Sequence, residues 1–109
     1  MVKHLSQDEF DALLEETTLP VVCDFSATWC MPCRMLAPTF EAISEELAGR
    51  AEFVKLDVDE CEDLARELSI YSVPTVMVMH KNGDEVQITA RAGGNRPKAM
   101  LRAFIEQNL

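Results

Sequence analysis

Cys30 and Cys33 stand two residues apart in the stretch Asp24-Phe25-Ser26-Ala27-Thr28-Trp29-Cys30-Met31-Pro32-Cys33. Two sulfurs at that spacing can staple a loop, supply half of a metal site, or open and close a disulfide. Stapling is a poor reason for the spacing, because the stabilisation shrinks with the loop and two intervening residues close almost nothing. A structural zinc site takes about four ligands. No second close pair exists here, and the other soft donors, Cys23, Cys61, His4 and His80, are scattered along the chain. Cys23 falls in an apolar run and Cys61 on an apolar helical stripe, where each reads as a small core residue. Redox exchange needs what is present. Cys30 lies just before a predicted helix, whose free N–H groups and dipole favour a thiolate. Cys33 is one turn further on, close enough to bond to it, and Pro32 fits the first turn, where its missing N–H costs little. The expected arrangement is an attacking sulfur at the surface with a resolving sulfur beneath it.

The elements that must hold this pair follow from periodicity. Ser6 and Glu9 form a capping box for a first helix with Phe10, Leu13 and Leu14 on its apolar face and Pro20 beyond its end. Val21–Ala27 is rich in β-formers without polar alternation, as in a strand covered on both faces. A helix from about Cys33 to Leu47 carries Leu36, Phe40, Ile43 and Leu47 inward, ends at Gly49, and is expected to kink at Pro38. Phe53–Val58 reads as a second strand, and Cys61, Leu64, Ala65 and Leu68 as the stripe of a short helix. Thr75–Met79 and Glu85–Ala92 read as a hairpin around Lys81-Asn82-Gly83-Asp84. A last helix, capped by Asn95, turns Met100, Leu101, Phe104 and Ile105 inward, and Val2–Leu5 allows a short first strand. Crossover helices predict parallel pairing and the hairpin an antiparallel edge, an α/β sheet with helices on both faces.

The 109 residues predict one domain spanning 1–109, large enough for a real core. A hydrophobic content of 48% and a charged content of 27% are those of an ordered globular chain. The net charge of −9 argues against nucleic acid, which needs a basic patch. From Lys81 onward five basic residues face three acidic ones, so the acid is concentrated earlier. No apolar run is long enough to span a bilayer, and the N-terminus shows no export signal, which predicts a cytoplasmic location. In that compartment close cysteine pairs tend to be catalytic or metal-bound. The acidic run Asp57–Asp63 does not match a calcium loop, since its sixth and twelfth positions hold Glu62 and Leu68.

Asp24 is the most informative residue outside the pair. A carboxylate in a doubly covered strand is costly to ionise, so its pKa is expected to rise. With "WCMPC" following "VVCDFSAT", and "SVPT" and "KNGD" downstream, the chain resembles the thioredoxin family over essentially its whole length. That resemblance implies the thioredoxin fold, a central mixed sheet of parallel strands plus an antiparallel C-terminal hairpin flanked by helices. It also implies a thiol–disulfide oxidoreductase that reduces protein disulfides. Cys30 would attack with a lowered thiol pKa, Cys33 would resolve, and Asp24, with Lys55 on the next strand, would move protons to and from Cys33. Val73-Pro74 would be a cis step, a geometry most X-Pro bonds lack. Trp29, Met31, Pro32, Val73, Pro74, Ala92 and Gly93 would line a shallow groove in which the target pairs with the Val73 backbone.

No bound cofactor is implied. The Cys30–Cys33 disulfide would be re-reduced by a thioredoxin reductase drawing on NADPH or ferredoxin, because the chain has no nucleotide fingerprint of its own. Disulfide-containing proteins would be its targets, with no nucleic acid or membrane partner, and the protein would be a monomer. The chain departs from the usual pattern at Met31 (commonly glycine), Arg34 (commonly lysine) and Ser26 (tryptophan in many bacterial members). Rival readings are a more oxidising disulfide oxidant or isomerase, and a thioredoxin-fold scaffold subunit whose cysteines are incidental.

Overall fold

Five strands and four helices alternate along the computed structural model, which describes residues 1–109. In chain order they are β1 (Lys3–His4), α1 (Gln7–Glu16), β2 (Val21–Ser26), α2 (Met31–Glu46), β3 (Glu52–Asp57), α3 (Glu62–Glu67), β4 (Thr75–Asn82), β5 (Glu85–Gly93) and α4 (Lys98–Gln107). The sheet order is β1-β3-β2-β4-β5. β3 is parallel to both β1 and β2, whereas β4 is antiparallel to both β2 and β5. The change of direction therefore falls in the middle of the sheet, one strand earlier than the hairpin alone suggests. A buried strand reads the same in either direction, so its residues do not announce which way it runs.

Alternation along the strands divides the core. Val22, Phe53, Val76 and Val78 face α2 and α4, meeting Leu36, Phe40, Ile43, Leu101 and Ile105. Phe40 and Phe53 pack edge to face with centroids 5.6 Å apart. Val21, Cys23, Phe25, Val54, Leu56, Met77 and Met79 face α1 and α3, meeting Phe10, Cys61 and Leu64. Every residue of β2 is buried, as its unbroken apolar pattern predicts. Cys23 and Cys61 are both free thiols within the second of these cores, and burial pushes both thiols up.

The Ser6 capping box forms in full, with Ser6 accepting from the Glu9 N–H and Glu9 from the Ser6 N–H. The two-residue Lys3–His4 strand is real and pairs with Val54 and Lys55. α2 continues through Pro38. At α4 the expected start moves: Pro97 caps it, not Asn95, and offers no side-chain bond. Leu101 and Ile105 are buried, but Met100 is exposed, contrary to its predicted inward position. Successive helix residues differ by about 100°, so a face centred on Leu101 and Ile105 turns Met100 away.

Candidate active site

β2 ends at Ser26, a short loop follows, and α2 begins at Met31 with Cys30 as its N-cap. The N-cap position gives the sulfur the role that a capping oxygen usually plays: Cys30 Sγ accepts the Cys33 N–H at 3.3 Å. Pro32 occupies the first turn, where no intrahelical donor is lost. Cys30 and Cys33 are joined by a disulfide with their Cα atoms 5.3 Å apart. Cys30 is less open than a surface sulfur, at 4% exposed, and Cys33 is at 1%. The covering group is partly the loop before β4, whose Val73 carbonyl oxygen lies 3.7 Å from Cys30 Sγ. The Val73–Pro74 peptide is cis.

Two contacts fasten the loop that carries Cys30. Arg34 donates from Nε at 3.1 Å and from Nη2 at 2.7 Å to the Thr28 carbonyl. A lysine at this position could supply only a point charge, so the departure from the usual residue has a geometric consequence. Trp29 stands out into solvent, and its Nε1 donates to Asp59 Oδ2 at 2.8 Å. Asp59 had no signal of its own in the sequence beyond membership of an acidic run.

Asp24 lies between Val22 and Ser26 on the sheet face covered by α2, fully buried. Neither of its carboxyl oxygens has a hydrogen-bond donor in the protein. Burial raises its pKa to about 6, and the Lys55 charge partly offsets that rise. Lys55 is the direct cross-strand neighbour of Asp24 and is half-buried.

The remaining groove positions converge from three elements. Met31 and Pro32 are exposed on the first turn of α2, Val73 is half-buried, and Pro74 is buried behind it. Ala92 and Gly93 at the end of β5 pair with Val76 and Thr75, directly after Pro74. The glycine that another group crowds is not Gly93, where a Cβ would meet nothing within 4 Å, but Gly94. A Cβ on Gly94 would lie 2.7 Å from Leu36 Cδ2, 3.2 Å from Val76 Cγ2 and 3.3 Å from Pro74 Cβ. The Gly94 N–H also donates to the Pro74 carbonyl at 3.0 Å, fastening the cis-proline loop to the end of β5. Two adjacent glycines gave the sequence no way to tell which one the packing requires.

No group of three or more His, Cys, Asp or Glu side chains is arranged to hold a metal ion. No helix is long and apolar enough to cross a membrane. A disulfide at a helix N-terminus, preceded by an exposed tryptophan and facing the Val73 carbonyl of a cis Val73–Pro74 peptide, defines a thiol–disulfide oxidoreductase.

Comparison with known proteins gives the same class and narrows it. The thioredoxin family model matches residues 1–107. Thioredoxin C-2 of Corynebacterium nephridii is 37% identical over 108 residues, covering 99% of this chain and 96% of that protein. Thioredoxin-1 of Saccharomyces cerevisiae is 44% identical over 96 residues, 88% of this chain and 87% of the yeast protein. A crystal structure of chloroplastic thioredoxin z superimposes with a TM-score of 0.81 at 33% identity, covering 97% of this chain and 92% of the other. The chain belongs to the thioredoxin family, and its activity is protein-disulfide reduction through the Cys30–Cys33 pair.

Proposed function

We propose that Cys30 is the nucleophile, Cys33 the resolving thiol and Asp24 the proton acceptor for Cys33, with Lys55 tuning Asp24. The Cys30 thiolate attacks one sulfur of a target disulfide and expels the other as a thiolate, leaving a mixed disulfide. Cys33 gives its proton to Asp24 and attacks Cys30 Sγ, and the remaining target sulfur leaves as a thiolate. The target gains two electrons and the protein's dithiol becomes the Cys30–Cys33 disulfide. The observation that carries this assignment is the different surroundings of the two sulfurs. Cys30 Sγ caps the first turn of α2, accepting the Cys33 N–H, and faces the Val73 carbonyl of the loop before β4, whereas Cys33 lies inside the first turn of the helix. The unpartnered Asp24 carboxyl lies on the sheet face that α2 covers.

Trp29, Met31, Pro32, Val73, Pro74, Ala92 and Gly93 form the target groove in this reading, with the Val73 backbone offered to an extended segment. A monomer working in the cytoplasm and re-reduced by an NADPH- or ferredoxin-dependent thioredoxin reductase completes the cycle. Insulin-disulfide reduction with a panel of both reductase types tests it. Wild type turns over with one of them, Cys30→Ser is inactive, and Cys33→Ser accumulates a covalent complex with insulin. Accumulation of that complex in Cys30→Ser instead would reverse the two roles. Full cellular activity of the double serine variant would favour the scaffold reading, and a strongly oxidising potential the oxidant.

A further inference from the structure

α3 ends in a turn that leaves two carbonyl groups for another element to satisfy. The Ile70 N–H donates to the Ala65 carbonyl at 2.8 Å and the Ser69 N–H to the Arg66 carbonyl at 3.1 Å, the two bonds of a Schellman turn. Ser69 takes the left-handed position with φ 58°, where glycine is the usual residue. Neither bond uses the Leu68 or the Ser69 carbonyl, which lie at the negative end of the helix. Arg91 on β5 meets both, its Nη2 donating to the Leu68 carbonyl at 2.7 Å and to the Ser69 carbonyl at 3.3 Å. Arg91 is itself held in the sheet, opposite Met77 of β4. The guanidinium therefore ties the end of α3 to the edge strand of the sheet.

From this turn the chain leads directly to the sulfur pair, because Val73 places its carbonyl oxygen 3.7 Å from Cys30 Sγ. Packing does little to fix the intervening stretch. Tyr71 and Ser72 are exposed, and a cleft of about 320 Å³ is lined by Ser69, Tyr71 and Ser72 from the loop and by Arg91 and Ala92 from β5. Hydrogen bonds fix the stretch instead. Toward β4, Thr75 Oγ1 donates to the Ser72 carbonyl at 2.7 Å and the Gly94 N–H to the Pro74 carbonyl at 3.0 Å. Toward α3, the bonds from Arg91 have that role. We propose that Arg91 is a positioning residue that sets the Val73 backbone against Cys30, so that a target segment pairs in the register that brings its disulfide to the attacking sulfur. This deepens the reading in which the Val73 backbone is offered to the target, and rests on it. A charged donor holds a carbonyl roughly twice as strongly as a neutral one. Because one nitrogen serves both carbonyls, a lysine ammonium can stand in for it, whereas a glutamine amide brings neither the charge nor the reach.

Two synthetic peptide disulfides, identical except for N-methylation of the amides on either side of the cysteine, test this in single-turnover reduction by the reduced protein. Methylation removes the N–H groups that a paired strand needs and leaves the disulfide unaltered. Wild type is expected to favour the unmethylated peptide by about tenfold in second-order rate constant. In Arg91→Gln that ratio is expected to fall below about threefold, and in Arg91→Lys to stay above about fivefold. A ratio measured on one preparation is independent of how much of it is folded, so a loss of stability alone does not move it. An Arg91→Gln protein that slows on both peptides alike, with the ratio unchanged, overturns the proposal. A lysine variant no better than the glutamine variant overturns it too. A wild type without the preference would fault the pairing at Val73 itself, and the role of Arg91 would fall with it.

Discussion

Asp24 is expected to make the protein less stable at neutral pH than an uncharged residue of the same shape would. The carboxyl is fully buried on the α2 side of the sheet with no donor to either oxygen, and its pKa is raised from 3.8 to about 6, chiefly by burial. Between those values the folded chain holds a proton that the unfolded chain has released, so stability falls as pH rises through the window. Well below pH 3.8 the group is neutral in both states and its ionisation costs nothing. Above about pH 7 the full cost is present. The gap between 3.8 and about 6, at about 1.4 kcal/mol per pH unit, amounts to about 3 kcal/mol. Asp24→Asn keeps the shape and removes the ionisation. Urea unfolding of the oxidised proteins should therefore find the variant more stable by about 3 kcal/mol at pH 8 and by less than about 1 kcal/mol at pH 4. For a chain of 109 residues, 3 kcal/mol corresponds to a rise in melting temperature of about 13 °C. A difference that does not vary with pH, or an Asp24→Asn protein less stable than wild type at pH 8, would refute the assignment of that cost to an ionised, unpaired carboxylate. The same group gives a kinetic signature. Resolution of a mixed disulfide is expected to slow below about pH 6, as Asp24 protonates and stops accepting, and that limb is expected to vanish in the Asp24→Asn variant.

Other perturbations separate the devices that hold the site. Gly94→Ala forces a Cβ between Leu36, Val76 and Pro74, so a loss of about 1–3 kcal/mol is expected, with a fall in insulin reduction as the Val73–Pro74 loop shifts. Gly93→Ala meets open space and is expected to change stability by less than about 0.5 kcal/mol; equal effects at the two glycines would contradict the packing described. Arg34→Lys keeps the charge but loses the fork on the Thr28 carbonyl, so kcat/KM with insulin is expected to drop about fivefold. A lysine variant indistinguishable from wild type would remove the clamp from the account.

Much of this site was legible because its chemistry requires particular residues at particular spacings. The Cys-x-x-Cys pair, the proline between them and the capping position follow from where a helix can begin. The raised Asp24 pKa follows from a carboxylate in a strand that has no polar face. Packing decisions were not legible. Whether Gly93 or Gly94 is crowded depends on where Leu36 and Pro74 meet the end of β5, which no local pattern encodes. The Trp29–Asp59 bond joins residues thirty apart, and Arg34 reaches back to a carbonyl, so neither has a periodic signature. The reversal between β2 and β4 escaped for a related reason: buried strands carry the same apolar code in both directions.

The cost of Asp24 and the use proposed for it have one origin. A carboxyl with good donors would keep a low pKa, lie mostly ionised at every physiological pH and be too weak a base to take a proton from a thiol. Removing the donors and burying the group raises the pKa toward the working range, which is the condition for efficient proton transfer. The destabilisation at neutral pH is the same free energy viewed from the folding equilibrium. A sheet packed on both faces can absorb about 3 kcal/mol, whereas an exposed loop would not bury the carboxyl. Placing Asp24 in the central strand, next to Lys55 rather than bonded to it, therefore makes one residue both a weak point of the core and, in the proposed mechanism, the base for the resolving sulfur.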